Sequence, residues 1–506
     1  MISFVSMEFL AFVGVTLLLY FWVPARYRWL VLLGSSIYFY FCSGAVQLLV
    51  VLGSTGIAYG TALRVEKIHN SDNPDRKEAR KHLTSGILLL LFILAYAKVG
   101  RRAVEAAGAL LGLERIDFEV LVPLGISYYS FSLIGYMADV YWKKDKAEHS
   151  YLKLLLYMIY FPHILQGPIP RHRRLAPWLI EGHPFDYRGL CHGLQRMMWG
   201  YFKKMVIADR LALLVGTVFD NPAAYGGPVF VIGAVCAAVQ LYCDFSGCMD
   251  IALGISEAMS IRLDENFQRP FFARSAAEFW RRWHITLGTW FKDYVYMPLA
   301  ISPRLIRFSQ RAKGRFGNRT AKNLMSVIPL AVVWLLTGLW HSTGMNYVVW
   351  GLYWGILIIL GTVLAPEIKK LTKRLGINTE SKWFKSFQVV RTFVLYLISR
   401  LLTAPGDIRL TGEIFRRMLT GWDLGKVFTK TIFELGLDGP DLAVAVLAVC
   451  VLWCADLLQE RGVRIRERIE ALPLAVRWGI FYICILTIFI FGVYGSGEDT
   501  FVYMFY

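Results

Sequence analysis

The sequence predicts an all-α, polytopic membrane protein, and two observations carry that expectation. The chain of 506 residues is 56% hydrophobic and only 18% charged, whereas a soluble domain carries about a quarter charged residues. Its apolar residues are also gathered into blocks long enough to cross a bilayer, which takes roughly 20 residues per helix. A transmembrane β-barrel would show short segments of alternating hydrophobicity instead.

Clear apolar blocks lie at residues 9–23, 29–42, 45–63, 83–97, 120–141, 228–243, 324–340, 346–365, 387–402, 441–457 and 474–494. Pieces at 151–166, 189–218 and 284–300 are shorter or more polar and fit further spans, re-entrant elements or interfacial helices. Together they suggest roughly ten to thirteen membrane elements. The first block has no basic segment before it and no small-residue cleavage pattern after it, so it reads as a retained helix rather than a cleaved signal. Arg26 and Arg28 follow it directly. The excess of basic residues on cytoplasmic loops then puts that turn in the cytoplasm and the N-terminus outside.

The net charge of +18 resides in connections such as Arg64–His82 and Pro303–Lys322, the latter with seven Lys/Arg and no acid. Such loops face anionic headgroups on the cytoplasmic side. Basic residues spaced between spans are a poor match to nucleic acid, so the lipid bilayer is the expected partner. The connections 64–82, 301–323, 366–386 and 406–440 are too small to fold alone, so residues 1–506 read as a single membrane domain. The eight cysteines include no Cys-x-x-Cys pair. Neither a zinc site nor a redox motif is indicated, and no metal is expected.

Polar groups inside apolar surroundings are functional candidates by default, because burying them in a membrane is costly. The stretch 160–187 holds Pro162, Pro168, Pro170, Pro177 and Pro184 with His163, His172 and His183. Proline at this density breaks helices. The stretch is either an interfacial loop with Arg171, Arg173 and Arg174 on headgroups, or a cavity lining that uses His163 or Gln166. The next candidate, QLYCDFSGCMDIALGIS (Gln240–Ser256), places Asp244, Ser246 and Asp250 between apolar flanks. On a helix, residues 246 and 250 share a face. The Phe-Ser-Gly step is alternatively a break between two helices.

The third, ENFQRPFFARSAAEFWRRWHITLGTWFKDYVYMPL (Glu265–Leu299), offers Ser275 as a helix N-cap with Glu278 three residues on, a capping box. Glu278 and Arg282 form an i,i+4 pair. Arg mixed with Trp suits an interfacial helix, but His284 leads into an apolar stretch. The fourth, TGLWHSTGMNYVVWG (Thr337–Gly351), lies in a run from Asn323 to Pro366 without Asp, Glu, Lys or Arg. His341 sits on the order of 28 Å along a straight helix begun at Asn323. It is therefore either at a hairpin turn near the far interface, or beside a helix break at Gly338 or Gly344 with the imidazole facing a cavity.

A neutral imidazole can take a proton from a hydroxyl that attacks an activated acyl carbon. Motifs for metal-dependent, nucleotide-driven and serine-hydrolase chemistry are missing. No His-Glu-x-x-His, no Gly-x-x-x-x-Gly-Lys-Ser/Thr phosphate loop and no Gly-x-Ser-x-Gly elbow occurs.

Four pieces in order carry a resemblance. They are SMEFLAFVGVTLLLYFWVPARYRWLVLLGSSIYFY, YCDFSGCMDIALG, the Glu265–Leu299 segment, and GLWHSTGMNYVVWG. The sequence resembles the membrane-bound O-acyltransferases (MBOAT), in particular the bacterial branch with the alginate O-acetylation membrane subunit. The likeness spans about residues 1–360, with its motif core at 120–360. It implies a ring of helices around a central tunnel in the bacterial cytoplasmic (inner) membrane. It implies His341, after Leu-Trp, as the catalytic base, and His284, of the Arg-Trp-His motif, as a second essential residue that hydrogen-bonds the thioester carbonyl or the acceptor. Asp244, Ser246, Asn266 and Asn346 then support the site, and Trp283 and Trp340 wall the tunnel. No cofactor is bound tightly. The donor is an acyl thioester, acetyl-CoA or an acyl carrier protein, arriving from the cytoplasm. The acceptor is an extracytoplasmic polysaccharide, reached through an SGNH-like acetyltransferase partner with a serine nucleophile. The sister branch transfers D-alanine to teichoic acid. This chain departs from the branch's pattern at Ala300–Arg304, Ser342 and Met345–Asn346. Rival readings are a transporter of acyl or lipid cargo, which would show paired halves with matching interruptions, and a scaffold that docks an external enzyme.

Overall fold

The computed structural model describes residues 3–111, 120–164, 166–422, 425 and 430–494. Among these residues the chain is helical apart from turns and one isolated antiparallel bridge, Phe267 to Trp283. Seven described helices are long and apolar enough to cross a membrane: Ala45–His69, Arg76–Leu110, Gly227–Ala258, Pro303–His341, Met345–Arg374, Gly439–Glu460 and Leu474–Phe491. The first apolar block forms the shorter helix Met7–Trp22, capped by Ser6, whose hydroxyl accepts from Phe9 N at 3.1 Å. The helices expose leucine, isoleucine, valine and phenylalanine, as at Leu88, Phe92, Leu447, Val451 and Ile483. In water this pattern would be costly, but in a bilayer lipid covers it.

The described chain divides into two compact units. One comprises the residues up to Trp199 with Cys248–Asp264. In it, helix Ala45–His69 packs against Arg76–Leu110 and Ile126–Tyr141. Tyrosine hydroxyls then pin loops and neighbouring helices together: Tyr40 to Leu124 O, Tyr151 to Leu52 O and Tyr157 to Pro170 O, at 2.8, 2.8 and 2.9 Å. The proline-rich stretch goes both ways. His163, Gln166 and Arg171 are buried, while Arg173 and Arg174 are exposed. Its tight course relies on Gly125, whose φ of +68° suits only glycine readily and where a Cβ would collide with Ile164 O.

The second unit comprises Gly200–Gly247 and the chain from Glu265 onward. Its apolar core includes Leu214, Val218, Phe230, Leu401, Ile414 and Leu437. Helices Pro303–His341 and Met345–Arg374 form a hairpin with its turn at Ser342–Gly344. They approach closely because glycine faces backbone: a Cβ on Gly338 would meet Tyr347 O at 2.5 Å, and one on Gly351 would meet Trp334 O at 2.6 Å. Small residues at such crossings are how membrane helices pack where lipid removes the hydrophobic drive. Helix Lys382–Thr403 lies alongside, joined by Tyr353 Oη to Leu395 O at 2.8 Å, and Asn346 Nδ2 donates to Pro405 O in the turn after it at 3.5 Å.

Candidate functional site

The Arg-Trp-His segment is built by a short helix and a reversal. Ser275 caps helix Ala276–Arg282 by accepting from Glu278 N at 3.2 Å. Glu278 reaches back to Arg274 N at 2.9 Å, one residue before the cap, so the expected capping box closes in a shifted form. Glu278 also pairs with Arg282 at 2.8 Å. Arg282 in turn places both terminal nitrogens on Glu460, at 2.9 and 3.0 Å, and Arg269 Nε joins the same carboxylate at 2.8 Å. After Arg282 the chain turns back along residues 266–268. Gln268 N donates to Arg282 O and Ile285 N to Asn266 O, at 2.9 and 3.1 Å.

At this reversal His284 adopts φ +48°, the left-handed region that non-glycine residues seldom occupy. Such strain persists only where the surroundings hold it, and it collects at functional sites. The hold here is Asn266. Its Oδ1 accepts from Thr286 N and Thr286 Oγ1, each at 3.0 Å, and from His284 Nδ1 at 3.3 Å. Because that oxygen already takes a backbone N–H, it can only be an acceptor, and the network assigns the ring proton to Nδ1. Burial disfavours the imidazolium and pushes the pKa of His284 down to about 3. A neutral ring protonated at Nδ1 offers a lone pair at Nε2. It can accept from a hydroxyl but cannot donate to a thioester carbonyl. Of the two roles expected for His284, the geometry suits the one toward the acceptor.

Trp283, next in sequence, points elsewhere. It stacks on Phe279 with ring centroids 5.6 Å apart and also meets Phe267 and Tyr396. It is a support for the short helix rather than a neighbour of His284's ring.

His341 ends helix Pro303–His341 and is buried. Ser342 is extended, and its hydroxyl accepts from Gly344 N at 3.2 Å, which caps off the turn. The hairpin reading of this stretch is therefore the local structure, yet the imidazole still points inward. Its ring lies 5.0 Å from that of Trp350, edge to face, and 6.2 Å from that of Tyr347. Trp340 brings the two histidines together: its ring centroid is 4.8 Å from His341 and 5.9 Å from His284. Asn346, buried in the first turn of the next helix, ties that helix to Pro405.

Asp244 and Ser246 lie on an unbroken helix, Gly227–Ala258, so the Phe-Ser-Gly step is not a break. Both meet lysines from a π-helical turn at Phe202–Ala208, a geometry often found at functional sites. Lys204 Nζ lies 2.7 Å from Asp244 and 2.7 Å from Asp209, and Lys203 Nζ donates to Ser246 at 2.8 Å. Between them Phe245 packs its ring 4.9 Å from His284. Asp250 belongs to the other unit and pairs with Arg196 at 3.0 Å. Lys203, Lys204, Asp209 and Glu460 were not picked out by sequence. The adjacent lysines inside 189–218 were the available signal, and Glu460, just past an apolar block, gave none.

In chemical terms, two buried imidazoles both lie against the indole ring of Trp340, and one of them has a fixed tautomer. The arrangement suits proton transfer from a hydroxyl in a site poor in water. The pattern of MBOAT, the membrane-bound O-acyltransferase family, matches residues 32–313, a stretch that includes His284. A probable alginate O-acetylase AlgI of Pseudomonas syringae pv. tomato is 32% identical over 459 residues, 89% of this chain and 81% of that protein. A peptidoglycan O-acetyltransferase of Helicobacter pylori is 29% identical over 368 residues, 68% of this chain and 65% of that protein. A teichoic acid D-alanyltransferase of Bacillus subtilis is 29% identical over 284 residues, 53% of this chain and 65% of that protein. The chain belongs to the membrane-bound O-acyltransferase family and is a multi-pass membrane O-acyltransferase of the alginate O-acetylase-like kind.

Proposed function

We propose that the protein moves an acetyl group from a cytoplasmic thioester, acetyl-CoA or an acyl carrier protein, toward an extracytoplasmic cell-surface polysaccharide. We place it in the bacterial cytoplasmic membrane with its N-terminus outside, on the strength of Arg26 and Arg28 after the first helix. An SGNH-like partner with a serine nucleophile receives the acetyl group and passes it on. Relatives named as alginate O-acetylases, aligned over most of both chains, support acetyl over D-alanyl transfer. The relatives named as D-alanyltransferases align with about half of this chain.

The observation that carries the reading is the placement of His341 and His284 on one indole ring, that of Trp340. In the proposed step neutral His341 takes the proton of the acceptor hydroxyl as its oxygen attacks the thioester carbonyl carbon. The tetrahedral intermediate collapses, the C–S bond breaks, and the thiolate recovers the proton from His341. The products are an ester and a free thiol. The last-turn carbonyls of helix Pro303–His341 present partial negative charge to the imidazolium formed on the way. His284, accepting through Nε2, orients the acceptor through a second donor group, because the one proton of the attacking hydroxyl goes to His341.

The test is transfer from labelled acetyl-CoA in proteoliposomes, with the purified acceptor partner. His341→Ala is expected to lower transfer by about 10²–10⁴-fold while the protein remains monodisperse in detergent. Near-normal transfer by that variant would sink the reading. Movement of cargo across liposomes without a new ester would favour a transporter.

A further inference from the structure

A line of ring contacts connects His341 to a set of buried polar atoms that the proposed step does not use. Arg400, on helix Lys382–Thr403, retains 8% of its surface. One of its terminal nitrogens donates to Thr403 Oγ1 at 2.8 Å. Its Nε is buried and meets no protein acceptor, and among the described residues no carboxylate pairs with it. A buried guanidinium without a counter-ion is among the more expensive arrangements a membrane protein can hold. The carbonyl end of its own helix, which stops at Thr403, offsets only part of that cost.

Three further atoms share this condition. Tyr396 Oη, one turn before Arg400 on the same face, is buried without a partner. So are Trp280 Nε1 and Trp354 Nε1. Three of these groups, with Phe279 between them, follow a continuous line of touching rings, and Arg400 lies one turn beyond Tyr396 on its helix. Trp280 meets Trp354 at 5.3 Å, Trp354 stacks on Phe279 at 5.7 Å, and Phe279 meets Tyr396 at 4.7 Å. The same line runs to the candidate centre, because Trp350 lies 5.5 Å from Trp280 and 5.0 Å from His341.

Their chemistry is one-sided. Indole and guanidinium nitrogens only donate, and a tyrosine hydroxyl can donate. Donors gathered without acceptors call for an oxygen-rich group, and the uncompensated charge calls for an anion.

We propose that Arg400 and Tyr396 form an internal anion-binding subsite, with Trp280 and Trp354 as further donors along its wall. It takes a carboxylate or phosphate of one of the two substrates. The two sources are the phosphates of a coenzyme A donor and the carboxylate of an acidic saccharide acceptor. The subsite rests on the acyl-transfer reading for the identity of its ligand, not for its existence.

The test separates the two. Binding is measured in the full-length His341→Ala protein in detergent, where no transfer is needed for a signal. Four probes are compared: CoA, phosphate-free pantetheine, a uronate oligosaccharide and its carboxyl-reduced counterpart. We expect one charged probe to bind at least tenfold more tightly than its uncharged partner. Arg400→Met should abolish that difference, and Arg400→Lys and Tyr396→Phe should each reduce it in part. A CoA preference assigns the subsite to the donor, and a uronate preference assigns it to the acceptor. Equal affinities within both pairs overturn the proposal, as does a preference that survives in folded Arg400→Met or, if that variant does not fold, in both Arg400→Lys and Tyr396→Phe. Loss of transfer in the unmutated protein with the charge preference intact would count against the acyl-transfer reading alone.

Discussion

Asn266 Oδ1 lies 3.3 Å from Nδ1 of His284 and takes two further hydrogen bonds from Thr286. The amide therefore fixes both the orientation and the tautomer of a ring already held at positive φ. Replacing it removes the acceptor without touching either imidazole. Asn266→Ala is expected to lower kcat by roughly ten- to a hundredfold, about 1.4–2.7 kcal/mol of transition-state stabilisation, with KM little changed. Steady-state kinetics on monodisperse protein checks this. An unchanged kcat would leave Asn266 with no positioning role.

The membrane class and the two candidate histidines were legible in the sequence because both depend on composition and short-range order. Long uncharged runs became spanning helices, Ser275 capped as its type suggests, and His284 and His341 proved buried. The contacts that support them were not legible. Glu460 meets Arg282 from 178 residues away and Asp456 meets Tyr242 from 214 away, separations over which no periodicity carries information. The fate of Asp244 depended on a lysine 40 residues earlier, within a π-helical turn that has no sequence signature. Trp283 and Trp340 looked equivalent in sequence, yet the reversal at His284 sends Trp283 into the aromatic stack on Phe279, while Trp340 meets both histidines.

Lys204 shares its charge between Asp244 and Asp209, and the two substitutions that break this cluster differ in kind. Asp244→Asn leaves the lysine with Asp209 and should cost about 1–2 kcal/mol. Lys204→Met removes the cation that two carboxylates share and should cost about 3–5 kcal/mol. Thermal unfolding in detergent should therefore rank Lys204→Met well below Asp244→Asn. The reverse order would mean that the cluster's stability does not come from this cation.

Glu460 gathers Arg269 and Arg282 on one carboxylate, and Arg282 lies two residues before His284. The cluster is about a quarter exposed, so solvent screens part of the attraction. Glu460→Ala is expected to destabilise by about 1–2 kcal/mol and to make the apparent Tm less sensitive to salt. Equal salt dependence in both proteins would place the stabilising charges elsewhere.

The neutral state of His284 gives stability a defined pH dependence. Burial lowers its pKa from 6.5 to about 3, so a state in which the ring is hydrated takes up a proton first as the medium is acidified. The contribution of the buried neutral ring is fully present above about pH 6.5 and is lost progressively as pH falls from there toward 3. A glutamine at this position has no proton to gain. Apparent Tm followed from pH 7.5 to 4.5 should therefore fall more steeply for the natural protein than for His284→Gln, even where the variant is less stable at neutral pH. Parallel curves would mean that the ring is already solvated in the folded protein, and the fixed tautomer would lose its physical basis along with the assignment of Nε2 as a hydrogen-bond acceptor toward the acceptor substrate.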